Sequence, residues 1–336
     1  MKILITGCCG FIGFNFSNYL CKKNKKFKII GIDNLNNYYS VKFKKNRLKE
    51  LKKNKNFSFN KVDLINYKNL KNLFIKNKFD CVLNLAAQPG VRYSLINPNS
   101  YVKNNISGFY NLFDLSSNYN VKKFLYASSS SVYGDAKKFP LKEKNILNPK
   151  NIYGYSKKIN EELVGLQSSK SKMKTIGLRF FTIYGEWGRP DMMMLKYLAA
   201  QLNSKKFYLN NFGNHTRDFT YIDDIVEGVT RVIDNPAKSN VNWNGKDPDP
   251  GTSFAPWKVY NIGSNNPIKL NDYISEIEKN VGKKAKVNLL PLQPGDVVAT
   301  YADVEDLFKT FDFKPKYNIH EGVKKFVEWF KKNPNF

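Results

Sequence analysis

A chain of 336 residues with 42% hydrophobic content is long enough to bury a full core, as one large or two modest domains. Its net charge of +27 invites a nucleic-acid reading, yet only six of the 55 basic residues are Arg, and the Lys residues are scattered among Asn-rich helical stretches, which excludes a surface built on guanidinium forks. No apolar run reaches the ~18 residues of a membrane span or resembles a signal peptide, and four cysteines without CxxC spacing beside two histidines (His215, His320) exclude a disulfide framework or a zinc site, so a soluble, reduced, cytoplasmic protein with no metal, membrane or nucleic-acid partner is expected.

The first element in chain order is a buried strand, Ile3–Thr6, which enters a turn bearing Gly7, Gly10 and Gly13 and leads into a helix, Gly13–Cys21. A glycine turn can serve packing alone. Here a second strand, Lys28–Ile32, ends next to Asp33, twenty residues beyond Gly13, and strand, turn, helix, strand and acid in this register describe a dinucleotide site. In such a site the helix N-terminus faces the pyrophosphate and Asp33 takes the adenosine ribose hydroxyls. NAD is expected rather than NADP, because Asp33 repels a 2′-phosphate and no Arg follows it directly. Strands at Phe57–Lys61, Cys81–Leu85, Lys123–Ala127 and Thr175–Arg179 alternate with helices at Lys42–Lys53, Asn69–Lys76, Tyr101–Asn118 and Tyr153–Ser168. That alternation predicts an α/β fold of Rossmann type, a doubly wound parallel sheet, with ligands beyond the carboxyl ends of its strands.

After about residue 180 the pattern turns irregular. A helix at Met192–Leu202, a short strand at Phe207–Leu209, a long loop at Asp234–Pro256, a buried strand at Val259–Ile262 and helices at Asn271–Val281 and His320–Asn333 remain. The expected organisation is a dinucleotide-binding domain over 1–182 and a smaller C-terminal substrate-binding lobe over 183–336, with about 217–263 threading back into the first domain.

Tyr153 and Lys157 stand four apart at the start of a helix and so share one face. A fixed ammonium and an oxidised nicotinamide ring favour the phenolate and lower its pKa from near 10 toward neutrality, the condition for a general base. Tyr155 has Ile159 in the equivalent place. The cluster Ser128–Ser131 follows the strand Lys123–Ala127, where a hydroxyl can pass a proton to that phenolate or simply satisfy its own turn. Among scarce guanidiniums, Arg92, Arg189 and Arg217 fall in loop contexts, as anion contacts or as ordinary ion-pair partners.

These motifs resemble the extended short-chain dehydrogenases/reductases of the nucleotide-sugar epimerase/dehydratase family, and within it the UDP-glucuronate 4-epimerases. The matching stretches are TGCCGFIG, NLAAQPGVRYSLINP (Asn84–Pro98), YASSSSVYG (Tyr126–Gly134), YGYSKK (Tyr153–Lys158), GLRFFTIYGEWGRPDM (Gly177–Met192), RDFTYIDDIVEG (Arg217–Gly228), VYNIG (Val259–Gly263) and LPLQPGDV (Leu290–Val297), which run nearly end to end. AAQPGVRYS and RFFTIYGEWGRPDM point to the glucuronate branch. The resemblance implies a cytoplasmic, homodimeric enzyme that interconverts UDP-glucuronate and UDP-galacturonate through a 4-keto sugar, for polysaccharide precursors. A decarboxylase of UDP-glucuronate or a UDP-hexose 4-epimerase of the same family is the alternative. It also implies roles: Tyr153 as base, Lys157 holding the ribose, and Ser129, four residues before Tyr133, relaying the proton. Gly7, Gly10, Phe11, Ile12, Gly13, Asp33, Asn34, Asp63, Leu64, Ala86, Ala87 and Asn104 then contact NAD, with Asn104 alternatively capping a helix through Gly108.

A uronic acid adds one requirement. Its 4-keto form is a β-keto acid, which loses carbon dioxide most easily when the breaking C–C bond stands perpendicular to the ketone plane. An epimerase must hold the carboxylate in that plane. Ser130, Ser131 and Thr182, or Arg189, are the candidate holders, and Arg92, Arg217 and Asp296 are candidates around the nucleotide, with Arg217 assigned to the diphosphate.

Overall fold

A computed structural model describes residues 1–168, 172–235 and 237–333. Its first half alternates β1 (Lys2–Thr6), α1 (Phe11–Lys23), β2 (Lys28–Asp33), α2 (Val41–Leu51), β3 (Phe57–Lys61), α3 (Tyr67–Lys76) and β4 (Cys81–Asn84). Two single turns, α4 (Tyr93–Ile96) and α5 (Pro98–Tyr101), lead to α6 (Gly108–Asn118), β5 (Lys123–Ser129), α7 (Ile152–Gln167) and β6 (Lys174–Phe180). The second half comprises β7 (Thr182–Tyr184), α8 (Met193–Leu202), β8 (Lys206–Leu209), β9 (Thr216–Tyr221), α9 (Ile222–Asp234) and β10 (Trp257–Ile262). It closes with β11 (Pro267–Lys269), α10 (Leu270–Val281), β12 (Lys286–Leu289), β13 (Ala299–Thr300), α11 (Glu305–Phe311) and α12 (Ile319–Lys332).

Seven strands form one sheet in the order β10-β6-β5-β4-β1-β2-β3, every pair parallel, as expected for a doubly wound fold. The order reverses between β1 and β4, so the crevice at that switch point lies beyond the ends of both strands. Strand alternation sorts the core: Ile3 and Ile5 enter one apolar cluster, and Leu4 enters the other on the opposite face. Polar caps start several helices, with Asn66 accepting from Asn69 N at 3.0 Å and Asn151 from Gly154 N at 2.9 Å.

β10 pairs with β6 from Trp257↔Thr175 to Ile262↔Phe180, so the late strand closes one edge of the first sheet. The remaining strands make a small four-stranded sheet, in which β9 pairs with β7, β11 and β13, and a two-stranded piece of β8 and β12. The larger apolar cluster runs from Ile3 on β1 to Phe330 on α12 without a break. No helix among the described residues is long and apolar enough to cross a membrane.

Several elements differ from the sequence expectation, which held no counterpart of β7, β9, β11, β12, β13, α9 or α11. The helix expected to run unbroken over Tyr101–Asn118 is interrupted by a π-turn, Val102–Ser107. Asn105 explains the widening, because its side chain accepts from Gln88 N at 2.7 Å and donates to Gln88 O and Ser156 Oγ at 3.1 Å, bonds that hold the turn off the α register. The first part of the expected loop Asp234–Pro256 is helical only at Asp234, the last residue of α9, a helix not anticipated from sequence.

Candidate active site

The glycine turn is built by close backbone approach. A Cβ on Gly13 would stand 2.1 Å from the Gly7 carbonyl oxygen, and one on Gly7 would meet Ala86 N at 2.8 Å where φ is already +66°. Packing therefore demands these glycines. They also open onto a cavity of about 250 Å³, whose wall includes Gly7, Gly10, Phe11, Ile12 and Gly13. α1 begins there with no side-chain cap and no acid in its first turn, leaving free N–H groups and a positive dipole end at the cavity. That is the chemistry an anionic pyrophosphate fits.

Asp33 lies on the same wall, with Oδ2 accepting from Cys9 N at 3.1 Å and Oδ1 from Leu35 N at 2.8 Å. Burial pushes its carboxyl up, against these backbone bonds and Lys44. Asn34, Asp63, Leu64, Ala86, Ala87 and Asn104 complete the wall, with Asn34 Nδ2 donating to Asp63 Oδ2 at 2.9 Å. Asn104 is not a helix cap. It stands inside the π-turn and donates to Ser100 O at 2.7 Å.

Tyr153, Lys157, Ser128, Ser129 and Arg189 line this cavity too. Tyr153 and Lys157 rise from the first turns of α7, and Ser129 ends β5, the strand next to the switch-point pair. Lys157 Nζ donates to Ala127 O at 2.7 Å and sits 5.9 Å from the centre of the Tyr153 ring. Burial pulls its ammonium down to about 8 against the charge of Glu161. The protein's own groups act on the Tyr153 phenol in opposite directions. Burial pushes the phenol up, and the groups opposing it are the Ser129 hydroxyl and the Arg189 guanidinium.

Arg189 is held by Asp191, Nε to Oδ1 at 3.1 Å and Nη2 to Oδ2 at 3.0 Å, and Tyr38 Oη donates to the same Oδ2 at 3.2 Å. The other expected substrate contacts lie off the cavity wall. Ser130 and Ser131 occupy a 3-10 turn, where Ser129 Oγ donates to Ser131 Oγ at 3.1 Å. Thr182 opens β7 between Phe181 and Ile183, both of which line the wall. Arg92, Arg217 and Asp296 gather with His215 in a second cluster. Arg92 Nη2 pairs with Asp296 at 2.6 Å, and Arg217 donates to the carbonyls of Thr216, Val297 and Val298 at 2.9, 2.6 and 2.8 Å. Burial draws Arg217 down to about 10.

Tyr38, Tyr39, Lys44 and Met192 were not expected on the wall, nor was Arg47 expected behind it. Arg47 donates to Cys9 O at 2.9 Å, Tyr39 Oη at 2.7 Å, Gly188 O at 3.0 Å and Trp187 O, tying α2 to the glycine turn and to the segment carrying Arg189. Its signal was available, since a lone Arg inside a Lys-rich helix is as unusual as the three that were singled out.

Residues 4–326 match the family model described as GDP-mannose 4,6 dehydratase. Protein CapI of Staphylococcus aureus is 49% identical over 98% of both chains, and a probable UDP-glucuronate 4-epimerase of Rhizobium meliloti is 36% identical over 99% of this chain and 98% of its own. A crystal structure of the UDP-glucuronic acid 4-epimerase of Bacillus cereus, in complex with UDP-glucuronic acid and NAD, superimposes with a TM-score of 0.87 at 31% identity over 99% of each chain. An all-parallel seven-stranded sheet with its crevice at β1/β4, and a match over almost its whole length, place the chain in the GDP-mannose 4,6 dehydratase family, among the extended short-chain nucleotide-sugar epimerases and dehydratases that its motifs resemble.

Proposed function

We propose that this protein is an NAD-dependent UDP-glucuronate 4-epimerase that yields UDP-galacturonate. The observation that carries the reading is that Tyr153, Ser129 and Arg189 face the same cavity as the uncapped α1 N-terminus and Asp33. The two epimerases named above, one crystallised with UDP-glucuronic acid and NAD, support it.

NAD, when bound, supplies a reversible hydride acceptor. The chain's own residues do the rest. The N–H groups at Phe11 and Ile12 and the carboxylate of Asp33 hold the dinucleotide, with Asn34, Asp63, Leu64, Ala86, Ala87 and Asn104 along its length. Tyr153 takes the proton of the sugar 4-hydroxyl, with the Ser129 hydroxyl as relay and the Arg189 charge favouring the phenolate. Lys157 holds the ribose from the next turn of the helix. Arg189, which lines the cavity, grips the carboxylate in the plane of the 4-ketone, which slows decarboxylation while the sugar turns over; Ser130, Ser131 and Thr182, off the wall, are the alternative holders. Arg92, Arg217 and Asp296 hold the nucleotide; Arg217 keeps N–H donors beyond those given to its three carbonyls. Precursor supply for polysaccharide, by a cytoplasmic homodimer, is the setting we infer on the resemblance alone.

The test is incubation of the purified protein with UDP-glucuronate and chromatography of the nucleotide sugars. UDP-galacturonate at equilibrium with substrate is expected. UDP-pentose as the sole product would assign a decarboxylase instead, and no turnover would remove the reading.

A further inference from the structure

Three elements meet behind the cavity at one carboxylate. Glu161 lies on α7 one turn beyond Lys157 and two beyond Tyr153, and is 1% exposed. Its Oε1 accepts from Ser128 Oγ at 2.5 Å and from Arg179 Nε at 3.0 Å, and its Oε2 accepts from Arg179 Nη2 at 2.7 Å. Ser128 and Arg179 are register partners in β5 and β6, so the carboxylate bridges the ends of two neighbouring strands and the helix that crosses them. Each anchor adjoins a wall residue: Ser128 is followed by Ser129, Arg179 by Phe180, and Glu161 shares a helical face with Lys157. Arg179 is tied further, to Tyr133 Oη and Glu143 O at 2.8 Å. A buried ion pair contributes little net stability over a well-packed apolar substitute, so stability alone does not explain this one.

We propose that Glu161 is a positioning residue: it locks Ser129 and Lys157 in place relative to Tyr153 and sets a negative charge beside the Lys157 ammonium. The inference rests on reading Tyr153, Lys157 and Ser129 as the reacting constellation. The charged and titratable groups that face this carboxylate are Arg179 on β6, Tyr126 on β5, Tyr133 in the turn after β5 and Lys157 on its own helix. Lys157 is 3% exposed, and burial draws its proton off at about 8, with Glu161 the charge that resists the loss. Neutralising Glu161 leaves burial unopposed and Arg179 unpaired, and both effects move the Lys157 midpoint to lower pH.

Two readouts test this on the full-length holoprotein. The first is NMR titration of lysine-labelled protein, with the Lys157 signal assigned by its loss in Lys157→Met. The second is the pH profile of kcat with UDP-glucuronate. In Glu161→Gln the Lys157 midpoint is expected to fall by about one unit, a tenfold change in its proton affinity. The alkaline limb of kcat should move with it, while KM stays within about twofold. Ser128→Ala keeps both charges, so it should lower kcat about tenfold through misplacement of Ser129 and leave the midpoint where it was. If Glu161→Gln does not fold, the apolar pair Glu161→Met with Arg179→Met supplies the titration, with a smaller shift of the same sign expected. An unmoved Lys157 midpoint in the folded charge variant, or full kcat in Ser128→Ala, would overturn the proposal. The titration needs no turnover, so absence of product from the unmodified protein would defeat the epimerase reading while the Glu161 proposal is still judged on its own.

Discussion

Tyr153 combines two opposed demands. Burial keeps its phenol protonated, and Ser129 and Arg189 are placed to pull the proton away. Tyr153→Phe keeps the ring and its packing against Tyr101, 6.2 Å between centroids, but removes the titrating oxygen. The variant should bind NAD and sugar nucleotide normally and lose at least ~10²-fold in kcat, as steady-state assays beside cofactor quantitation would show. His215 carries a second residue-scale prediction. It is 7% exposed with Nε2 unpartnered, and burial together with Arg217 and Arg92 holds it down to about 4. The unfolded chain takes up this proton near pH 6.5, and the folded chain only near 4. The stability from this group is therefore complete above pH 6.5 and is lost as the pH falls toward 4. Urea unfolding over that range should show the loss, and His215→Gln should flatten it. The residue types of the site were legible because their order and spacing are specific. The bonding of Lys157 to Ala127 O, and Arg217's three carbonyls, were not, since nothing local in the sequence records which backbone groups a long cation will reach.

At the scale of elements, the strand–turn–helix unit of β1 and α1 couples fold to site. Gly13→Ala changes neither charge nor helix propensity unfavourably, yet its Cβ would lie 2.1 Å from the Gly7 carbonyl oxygen. The turn must open to admit it, at an expected loss of about 1–3 kcal/mol and with NAD binding weakened at least tenfold. Denaturant unfolding and cofactor titration check both. The inner parallel strands β1, β2, β4, β5 and β6 were readable as apolar runs, because both faces of each are largely buried, whereas the edge strand β3 is mostly exposed. The helix α9 was missed although Ile222, Ile225, Val226, Val229, Val232 and Ile233 recur at helical spacing and are all buried. The π-turn Val102–Ser107 had no such signal, because it depends on Asn105 meeting Gln88 and Ser156, which are remote in sequence.

Across the whole molecule, one apolar cluster joins β1 to α12, and β10 returns to complete the first sheet beside β6. Unfolding the second half would strip an edge strand from the first, so calorimetry should show a single transition with matching calorimetric and van't Hoff enthalpies. Two separate transitions would mean that the halves fold independently. In the proposed chemistry, hydrogen leaves carbon 4 of the sugar and returns to the same carbon inside the cavity. Incubating the protein with UDP-glucuronate deuterated at carbon 4 and following the products by NMR tests this most directly. UDP-galacturonate that retains the deuterium at carbon 4, with none released to solvent, is the predicted result; deuterium washed out into water, or label found only in a pentose, would contradict it.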